Sequence, residues 1–242
     1  RQMCIRDSYI TAYANNMNSL YRTRLEALKS VNYSIQQMTS DYVVMSDCDV
    51  ICNIDLNDMI NDHIESGADI TIAVKYMPLT RSAAKNNTLV FANDEGRITD
   101  LLAYPTNFEG YADVNLNILV INRKYLQEMV LDAVAHGYVS MTRDILLRGL
   151  SYRNFRVYKY DGYFACISSF EDYFAHSMQL IENKEMFASL FGVESRPIYT
   201  KVRNSAPTYY SDLSSVRNSL IADGCVIEGT VENSILFRGV KV

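Results

Sequence analysis

The sequence predicts a mixed α/β protein from three patterns. Apolar residues recur every three to five positions between residues 20 and 38, which is typical of an amphipathic helix. A continuous apolar run at residues 42–45 then indicates a buried strand, and an apolar–polar alternation at residues 70–75 indicates another. Because predicted strands alternate with predicted helices along the chain, we expect helices layered on a mixed, mostly parallel sheet that is incomplete.

The remaining elements follow from the same periodicities and from local turn residues. Asp55 can cap a helix that ends near Gly67, and Asp94-Glu95-Gly96 has the composition of a hairpin turn. Further helices are predicted at residues 126–137, 145–150 and 171–180. Further strands are predicted at residues 88–93, 97–102, 113–121, 155–158 and 163–167.

The composition excludes several classes of protein. The 242 residues are 48% hydrophobic with a net charge of −5, which is typical of a globular protein. The sequence contains no basic stripe of the kind that binds nucleic acid. No apolar run is long enough to span a membrane and no leader opens the chain, so we expect a cytoplasmic protein without a membrane partner. The five cysteines and three histidines lack zinc-ligand spacing.

The carboxyl-terminal region differs in pattern from the rest. Near residue 194 a linker begins, and beyond Val216 helix periodicity gives way to apolar residues six apart, such as Ile221 and Ile227. This spacing is typical of a hexapeptide β-helix, of which only the start is present. We predict an α/β domain at residues 9–193, a linker at 194–211 and the start of a β-helix at 212–242. Residues 1–8 have no periodicity, and we expect a fragment start.

Asp47 and Asp49 follow the predicted strand at residues 42–45. Open α/β sheets bind ligands beyond the carboxyl ends of their strands, and Mg²⁺ takes one or two carboxylates together with phosphate oxygens. These aspartates are therefore candidates for a metal and nucleotide site. The alternative is that they begin and cap a turn.

Two further features concern anions. Arg196, Lys201 and Arg203 are candidates for binding an anionic effector, although their sequence context favours a solvated linker. No glycine occurs before Gly67, so the first 66 residues contain no glycine-rich phosphate loop.

Two stretches resemble a known family. Residues 196–200 (RPIYT) and residues 218–240, which begin Asn218-Ser219-Leu220-Ile221, look like the start of the β-helix in bacterial glucose-1-phosphate adenylyltransferase. More weakly, residues 42–49 (YVVMSDCD) stand where that family has a strand ending in Gly-Asp. The resemblance implies a Rossmann-like nucleotidyltransferase domain lacking its first strand–helix unit, followed by the start of a left-handed parallel β-helix.

The resemblance implies two metal-binding positions. Asp49 corresponds to the family's aspartate that binds Mg²⁺ and the nucleotide phosphates, while Cys48 replaces the preceding glycine. The family's second metal-binding aspartate falls on Cys166, and a neutral thiol is a poor Mg²⁺ ligand. Mg²⁺ is therefore the expected cofactor of the family and a doubtful one for this chain.

The substrate-binding positions have also changed. The lysine that binds the sugar phosphate in the family falls on Tyr104, which cannot supply its charge. A Ser-Met-Gly stretch that contacts the sugar falls on Asn115, Leu116 and Asn117. The family's Phe-Gly-Lys-Asp motif falls on residues 141–144, where Arg143 keeps the positive charge and Asp144 keeps the negative charge.

The pattern is most like the family's regulatory-type subunit, GlgD. We therefore expect a subunit that assembles with a catalytic partner in glycogen synthesis, with ATP or ADP-glucose and sugar phosphate as possible ligands. One alternative is a competent adenylyltransferase in which Asp47 supplies the missing carboxylate. The other is a non-catalytic, nucleotide-binding or scaffold β-helix protein.

Overall fold

The structure is a computed structural model that describes residues 21–199 and 203–242. Its contacts divide these residues into two compact units. The first unit comprises residues 21–46 and 56–160, and the second comprises residues 47–55 and the described part of 161–242. The domain boundaries predicted from composition, at residues 193 and 211, stay predictions.

The described residues contain seven α-helices, one π-helix and 14 strands. The helices are α1 (Arg24–Ser30), α2 (Asn32–Gln36), α3 (Leu56–Glu65), α4 (Arg81–Ala84), α5 (Arg123–His136), the π-helix (Met141–Leu147), α6 (Phe170–Glu182) and α7 (Lys184–Phe191). The strands are β1 (Tyr42–Ser46), β2 (Val50–Cys52), β3 (Ile70–Leu79), β4 (Thr88–Ala92), β5 (Ile98–Ala103), β6 (Gly110–Asn122), β7 (Phe155–Lys159), β8 (Phe164–Cys166), β9 (Tyr209–Tyr210), β10 (Ser215–Arg217), β11 (Leu220–Ile221), β12 (Val226–Ile227), β13 (Thr230–Glu232) and β14 (Ile235–Leu236).

The first unit is built on a six-stranded sheet in the order β5-β4-β6-β3-β7, with β1 also paired to β6. This confirms a mixed α/β architecture with a sheet core. The prediction of a mostly parallel sheet is wrong, because β6 runs antiparallel to β1, β3 and β4, and β4 runs antiparallel to β5. Of the described pairings in this sheet, only β3 with β7 is parallel. An apolar run predicts a buried strand but contains no information about its direction.

Helix α5 covers one part of this sheet as its periodicity predicts. The side chains of Leu126, Met129, Val130 and Ala133 are buried in the main apolar cluster. The helix ends at Gly137, whose φ of 68° is the left-handed conformation that favours glycine. The predicted helix face and its stop signal are therefore both confirmed.

The predicted hairpin is also present. Strands β4 and β5 pair antiparallel, and the amide of Gly96 donates a hydrogen bond to the carbonyl of Asn93 at 2.9 Å. Gly96 has a φ of 80°, so the turn uses the freedom of glycine.

The second unit contains the β2–β8 pair, helices α6 and α7, and six short strands near the carboxyl terminus. These six strands form three parallel pairs, with partners 15 or 17 residues apart, as in Ser215 with Thr230 and Tyr209 with Val226. Cys225, Ile227 and Val231 are buried beneath them. The pairing agrees with repeated short coils, while the left-handed β-helix stays a prediction.

Neither β2 nor α7 was predicted from the sequence, and the predicted helix near residue 145 is a π-helix that begins four residues earlier. Within residues 21–199 and 203–242, no helix has both the length and the apolar content needed to cross a bilayer.

Candidate functional site

The second unit brings Asp49 and Cys166 together. Strands β2 and β8 pair with Val50 opposite Cys166, and the amide of Ile167 donates a hydrogen bond to the carbonyl of Asp49 at 2.8 Å. This ladder positions the thiol of Cys166 to donate to Oδ2 of Asp49 at 3.7 Å. The two residues that the resemblance pairs as metal-binding positions are therefore neighbours.

The electrostatics at this pair favour a protonated thiol. Burial first, and then the carboxylates of Asp49, Asp172 and Asp47, which disfavour a negative sulfur, together raise the pKa of Cys166 to about 11. Thiolate, not thiol, is the form that binds metals. At neutral pH, Cys166 is consequently a hydrogen-bond donor.

The residues present do not fit a Mg²⁺ site built by the protein. Oδ1 of Asp49 is buried and accepts no hydrogen bond within the described part of the chain. Mg²⁺ demands an octahedron of oxygen ligands, and the neighbouring side chain offers a neutral sulfur instead. Among residues 21–199 and 203–242, no three side chains of the metal-binding types are grouped to hold an ion.

In the first unit, Asn115 and Asn117 form a local turn within β6. The side-chain oxygen of Asn115 accepts a hydrogen bond from the amide of Asn117 at 2.9 Å, opposite a register shift between Ile72 and Val74 of β3. Asn117 has a φ of 58°, in the left-handed region. The backbone therefore keeps a conformation typical of glycine, using the non-glycine residue type that tolerates it best.

Tyr104 lies just after β5 and is exposed. Its φ is 51°, and its amide donates a hydrogen bond to the carbonyl of Asn87 at 3.0 Å. The backbone is thus fixed while the neutral phenol faces solvent. This position offers stacking or a hydrogen bond to a ligand, but no positive charge.

Arg143 and Asp144 lie in the π-helix, where Asp144 has a structural function. Its Oδ2 accepts hydrogen bonds from the amides of Ser140 and Val139 at 2.8 and 2.9 Å, and its Oδ1 accepts one from Nε of Arg143 at 3.1 Å. These donors, the Ser140 amide first, lower the pKa of Asp144 to about 2. The pair caps a helix start, which the sequence analysis did not predict.

The candidate effector residues have different environments. Arg196 forms an ion pair with Asp55 at 2.9 Å, and its carbonyl accepts a hydrogen bond from the side chain of Asn53. Arg203 is exposed, and Lys201 lies outside the described residues. The ion pair of Arg196 is local, so it competes with any role in anion binding.

Comparison with known proteins supplies the family. No protein-family model matches the chain. GlgD, a glycogen biosynthesis protein of Bacillus subtilis, is 31% identical over 204 residues, which are 84% of this chain and 48% of the relative. The GlgD of Geobacillus stearothermophilus is 34% identical over 83% of this chain and 47% of its own length. The glucose-1-phosphate adenylyltransferase of Halalkalibacterium halodurans is 30% identical over 93% of this chain and 58% of its own length.

The chain is a relative of the glucose-1-phosphate adenylyltransferases and of GlgD. The resemblance expected from its motifs is therefore confirmed, including the likeness to GlgD. The chain spans about half the length of these curated relatives.

One charged residue near Asp49 and Cys166 was not predicted from the sequence. Oδ2 of Asp172 accepts hydrogen bonds from the hydroxyl and the amide of Ser168 at 2.7 and 3.2 Å. The amide of Asp172 donates to the hydroxyl of Ser169, which caps the start of α6, at 3.0 Å. The charge of Asp172 also raises the pKa of Cys166. The three-residue spacing of Ser169 and Asp172 was the available signal, but it is common at helix starts.

Proposed function

We propose that this chain is part of a regulatory-type, GlgD-like subunit of glucose-1-phosphate adenylyltransferase in glycogen biosynthesis. The complete enzyme would convert ATP and glucose-1-phosphate into ADP-glucose and diphosphate. The hydrogen bond from Cys166 to Asp49 carries the proposal, because a neutral thiol stands where the resemblance implies the second metal-binding carboxylate. The subunit would then act through assembly with a catalytic partner.

The chemistry explains why this change matters. Attack of a sugar phosphate on the α-phosphorus of ATP brings two anions together, so catalysis depends on positioning and on neutralising charge. Removing one preorganised stabilising group typically costs roughly 2.7–4 kcal/mol in the transition state. Loss of a metal carboxylate is a change of this kind.

The environment of Tyr104 supports the same conclusion. The resemblance implies a lysine there that neutralises the sugar phosphate, and an exposed, neutral phenol cannot do so. At two positions, Cys166 and Tyr104, the charged groups that the resemblance implies are therefore replaced by neutral ones. A subunit with both changes is suited to weak binding or regulation.

The subunit would still bind a nucleotide or a sugar phosphate. Asp47 in the second unit, and separately Asn115 and Asn117 in the first unit, remain candidate polar groups for such a ligand, and Asn117 has a left-handed φ of 58°. Arg143 and Asp144 are weaker candidates, since both contribute to the cap of the π-helix.

The carboxyl-terminal coils complete the proposal. Residues 212–242 would begin a left-handed parallel β-helix that follows the linker at 194–211 and contributes to the hetero-oligomer. Arg196, Lys201 and Arg203 stay candidates for an effector anion beside it. A cytoplasmic location belongs to the same proposal.

The test uses the full-length protein, purified alone and mixed with a catalytic subunit. We expect ADP-glucose formation by the isolated protein to be at least about 100-fold below that of the catalytic subunit. The mixture should form a complex in which maximal rate or effector response differs from that of the catalytic subunit alone. Asp49→Asn should leave the activity of the mixture unchanged.

The alternatives predict other results. A competent adenylyltransferase would show family-like turnover alone and would lose it with Asp49→Asn. A scaffold protein would bind neither ATP, sugar phosphate nor a catalytic subunit in calorimetry. Either outcome would contradict the regulatory proposal.

A further inference from the structure

Three neighbouring strands of the first unit place a lysine, an asparagine and an aspartate on one face of the sheet. Strand β3 lies between β7 and β6, and its Val74 pairs with Lys159 on one side and with Asn115 on the other. Residues paired across neighbouring strands project from the same face. Two residues before Asn115, Asp113 pairs with Tyr76, so both lie on that face as well. The sequence analysis identified neither Lys159 nor Asp113.

A direct contact shows that Lys159 and Asp113 meet above β3. Nζ of Lys159 lies 3.8 Å from Oδ2 of Asp113, although β7 and β6 are not neighbours in the sheet. This separation is longer than a hydrogen bond, and the lysine side chain is 68% exposed. Exposed ion pairs of this kind contribute little to stability. The carboxylate therefore keeps the ammonium group near the face, while the three N–H donors of that group can turn towards a ligand.

Asp113 is the more buried member of this pair. Its side chain is 16% exposed, and its Oδ1 accepts no hydrogen bond from the described residues. An ionised carboxylate can only accept hydrogen bonds, and buried carboxylate oxygens normally do so. A ligand hydroxyl is a suitable donor, because it is neutral and is not repelled by the negative charge. Asp113 therefore favours a ligand that carries hydroxyl groups.

An aromatic ring borders these polar groups. Tyr76, opposite Asp113, is 63% exposed, and its ring stacks on that of Tyr111 with the centroids 5.5 Å apart. The floor of the face is apolar, since Val74 and Val90 are both buried. An aromatic face beside hydrogen-bonding groups suits a ligand with an apolar ring face and hydroxyls at its edge. A sugar has this combination.

A second cation lies beside the turn formed by Asn115 and Asn117. Nη2 of Arg24 donates a hydrogen bond to the carbonyl of Asn117 at 3.3 Å. Because adjacent strands are about 5 Å apart, the backbones of Lys159 on β7 and Asn115 on β6 are separated by about 10 Å. A phosphorylated monosaccharide can bridge such a span. The charges of Arg24 and Lys159 together outweigh that of Asp113, so these three groups suit an anionic phosphate.

We propose that Lys159 binds the phosphate of a sugar phosphate whose hydroxyl groups bind to Asp113 and Asn115. The inference rests on the proposed function, in which the subunit still binds a sugar phosphate. It assigns to Lys159 the positive charge that Tyr104 cannot supply. A hydrogen bond from an ammonium group to a phosphate oxygen is roughly twice as strong as one between neutral groups. Since the exposed ion pair with Asp113 is weak, exchanging it for a phosphate contact costs little.

The experiment is isothermal titration calorimetry of the full-length protein, purified alone, with glucose-1-phosphate. We expect Lys159→Gln to raise the dissociation constant about tenfold or more, as for the loss of a hydrogen bond to a charged group. Lys159→Arg keeps the positive charge and should stay within about threefold of the wild type. Glucose and inorganic phosphate should each bind more weakly than glucose-1-phosphate, because each contains only half of the groups that the face recognises.

Lys85→Gln is the matched control, since Lys85 is another exposed lysine of the first unit and its loss changes the net charge equally. Its dissociation constant should equal that of the wild type. The inference is overturned by equal weakening in Lys85→Gln and Lys159→Gln, by unchanged binding in Lys159→Gln, or by a wild type that does not bind glucose-1-phosphate. Inorganic phosphate that binds as tightly as glucose-1-phosphate would overturn it too.

The proposed function fails in a different measurement. If no complex with a catalytic subunit forms, assembly is overturned, and a loss of glucose-1-phosphate binding in Lys159→Gln would still support the role of Lys159. If the complex forms while Lys159→Gln binds glucose-1-phosphate normally, only the role of Lys159 is overturned.

Discussion

The thiol of Cys166 donates a hydrogen bond to Oδ2 of Asp49 across 3.7 Å, between two strands whose register holds the side chains side by side. The thiol proton thus lies against the carboxylate oxygen. A divalent cation cannot bind Oδ2 at the position that the thiol proton occupies. Substitutions at Asp49 and Cys166 therefore test most directly whether a metal site has been lost.

Cys166→Asp should make the protein dependent on Mg²⁺. Without metal, the new carboxylate repels Asp49, and two charges about 4 Å apart cost roughly 1–4 kcal/mol in a partly solvated site. Mg²⁺ should reverse this loss and add about 1.4 kcal/mol at ten times its dissociation constant. Thermal unfolding with and without Mg²⁺ measures both effects.

Cys166→Ser is the control for that substitution, because its hydroxyl keeps a neutral donor beside Asp49. Its unfolding should not respond to Mg²⁺. Equal stabilisation of the wild type and Cys166→Asp by Mg²⁺ would contradict the interpretation.

The backbone at Asn117 provides a second prediction. A β-branched residue in the left-handed region is strained, so Asn117→Val should lower the free energy of unfolding by about 1–2 kcal/mol. Asn117→Gly should be close to neutral, since glycine adopts a φ of 58° without strain. Urea unfolding of both variants checks the difference, and similar losses in the two would show that the side chain, not φ, matters.

Asp144 should stabilise the protein in a defined pH window. Its pKa falls from 3.8 in the unfolded chain to about 2 in the folded protein, because the amides of Ser140 and Val139 donate to its carboxylate. The contribution is therefore fully present above pH 4 and is lost as the pH falls towards 2. Asp144→Asn should cost about 1 kcal/mol at neutral pH, as expected for a lost helix cap, and little at pH 2. A loss that is the same at both pH values would contradict this assignment.

The sequence predicted most elements of the first unit because its local signals agree with its packing. Helix α5 has a clear apolar face and a terminal glycine, and the β4–β5 hairpin has a turn that contains Gly96. Strand direction could not be predicted, since β1 is equally apolar whether its neighbour is parallel or antiparallel. The direction of β1 in the sheet depends on its pairing with β6, which lies about 70 residues further along the chain.

The candidate site was predicted in part for a similar reason. The resemblance identified Asp49 and Cys166 as a pair, and the strand ladder brings them together. The cap formed by Asp144 and the ion pair of Arg196 with Asp55 were not predicted, because both depend on distances between side chains. Asn117 shows the opposite case: the resemblance places a glycine of the family at this position, and the backbone here has a φ of 58°, which glycine favours.

The buried imidazole of His63 gives the last prediction. Its Nδ1 lies 2.8 Å from the hydroxyl of Thr71, and the ring of Tyr42 packs edge-on against it. Burial lowers the pKa of His63 below 6.5, since the charged imidazolium loses its hydration. As the pH falls below 6.5, the unfolded chain takes up a proton that the folded protein resists, so stability should fall. His63→Gln should remove this part of the pH dependence, whereas the exposed His136→Gln should not. Chemical denaturation at pH 7.5 and pH 5.5 measures the free energy of unfolding of each protein. If the wild type and His63→Gln lose the same stability between these pH values, His63 does not have this role.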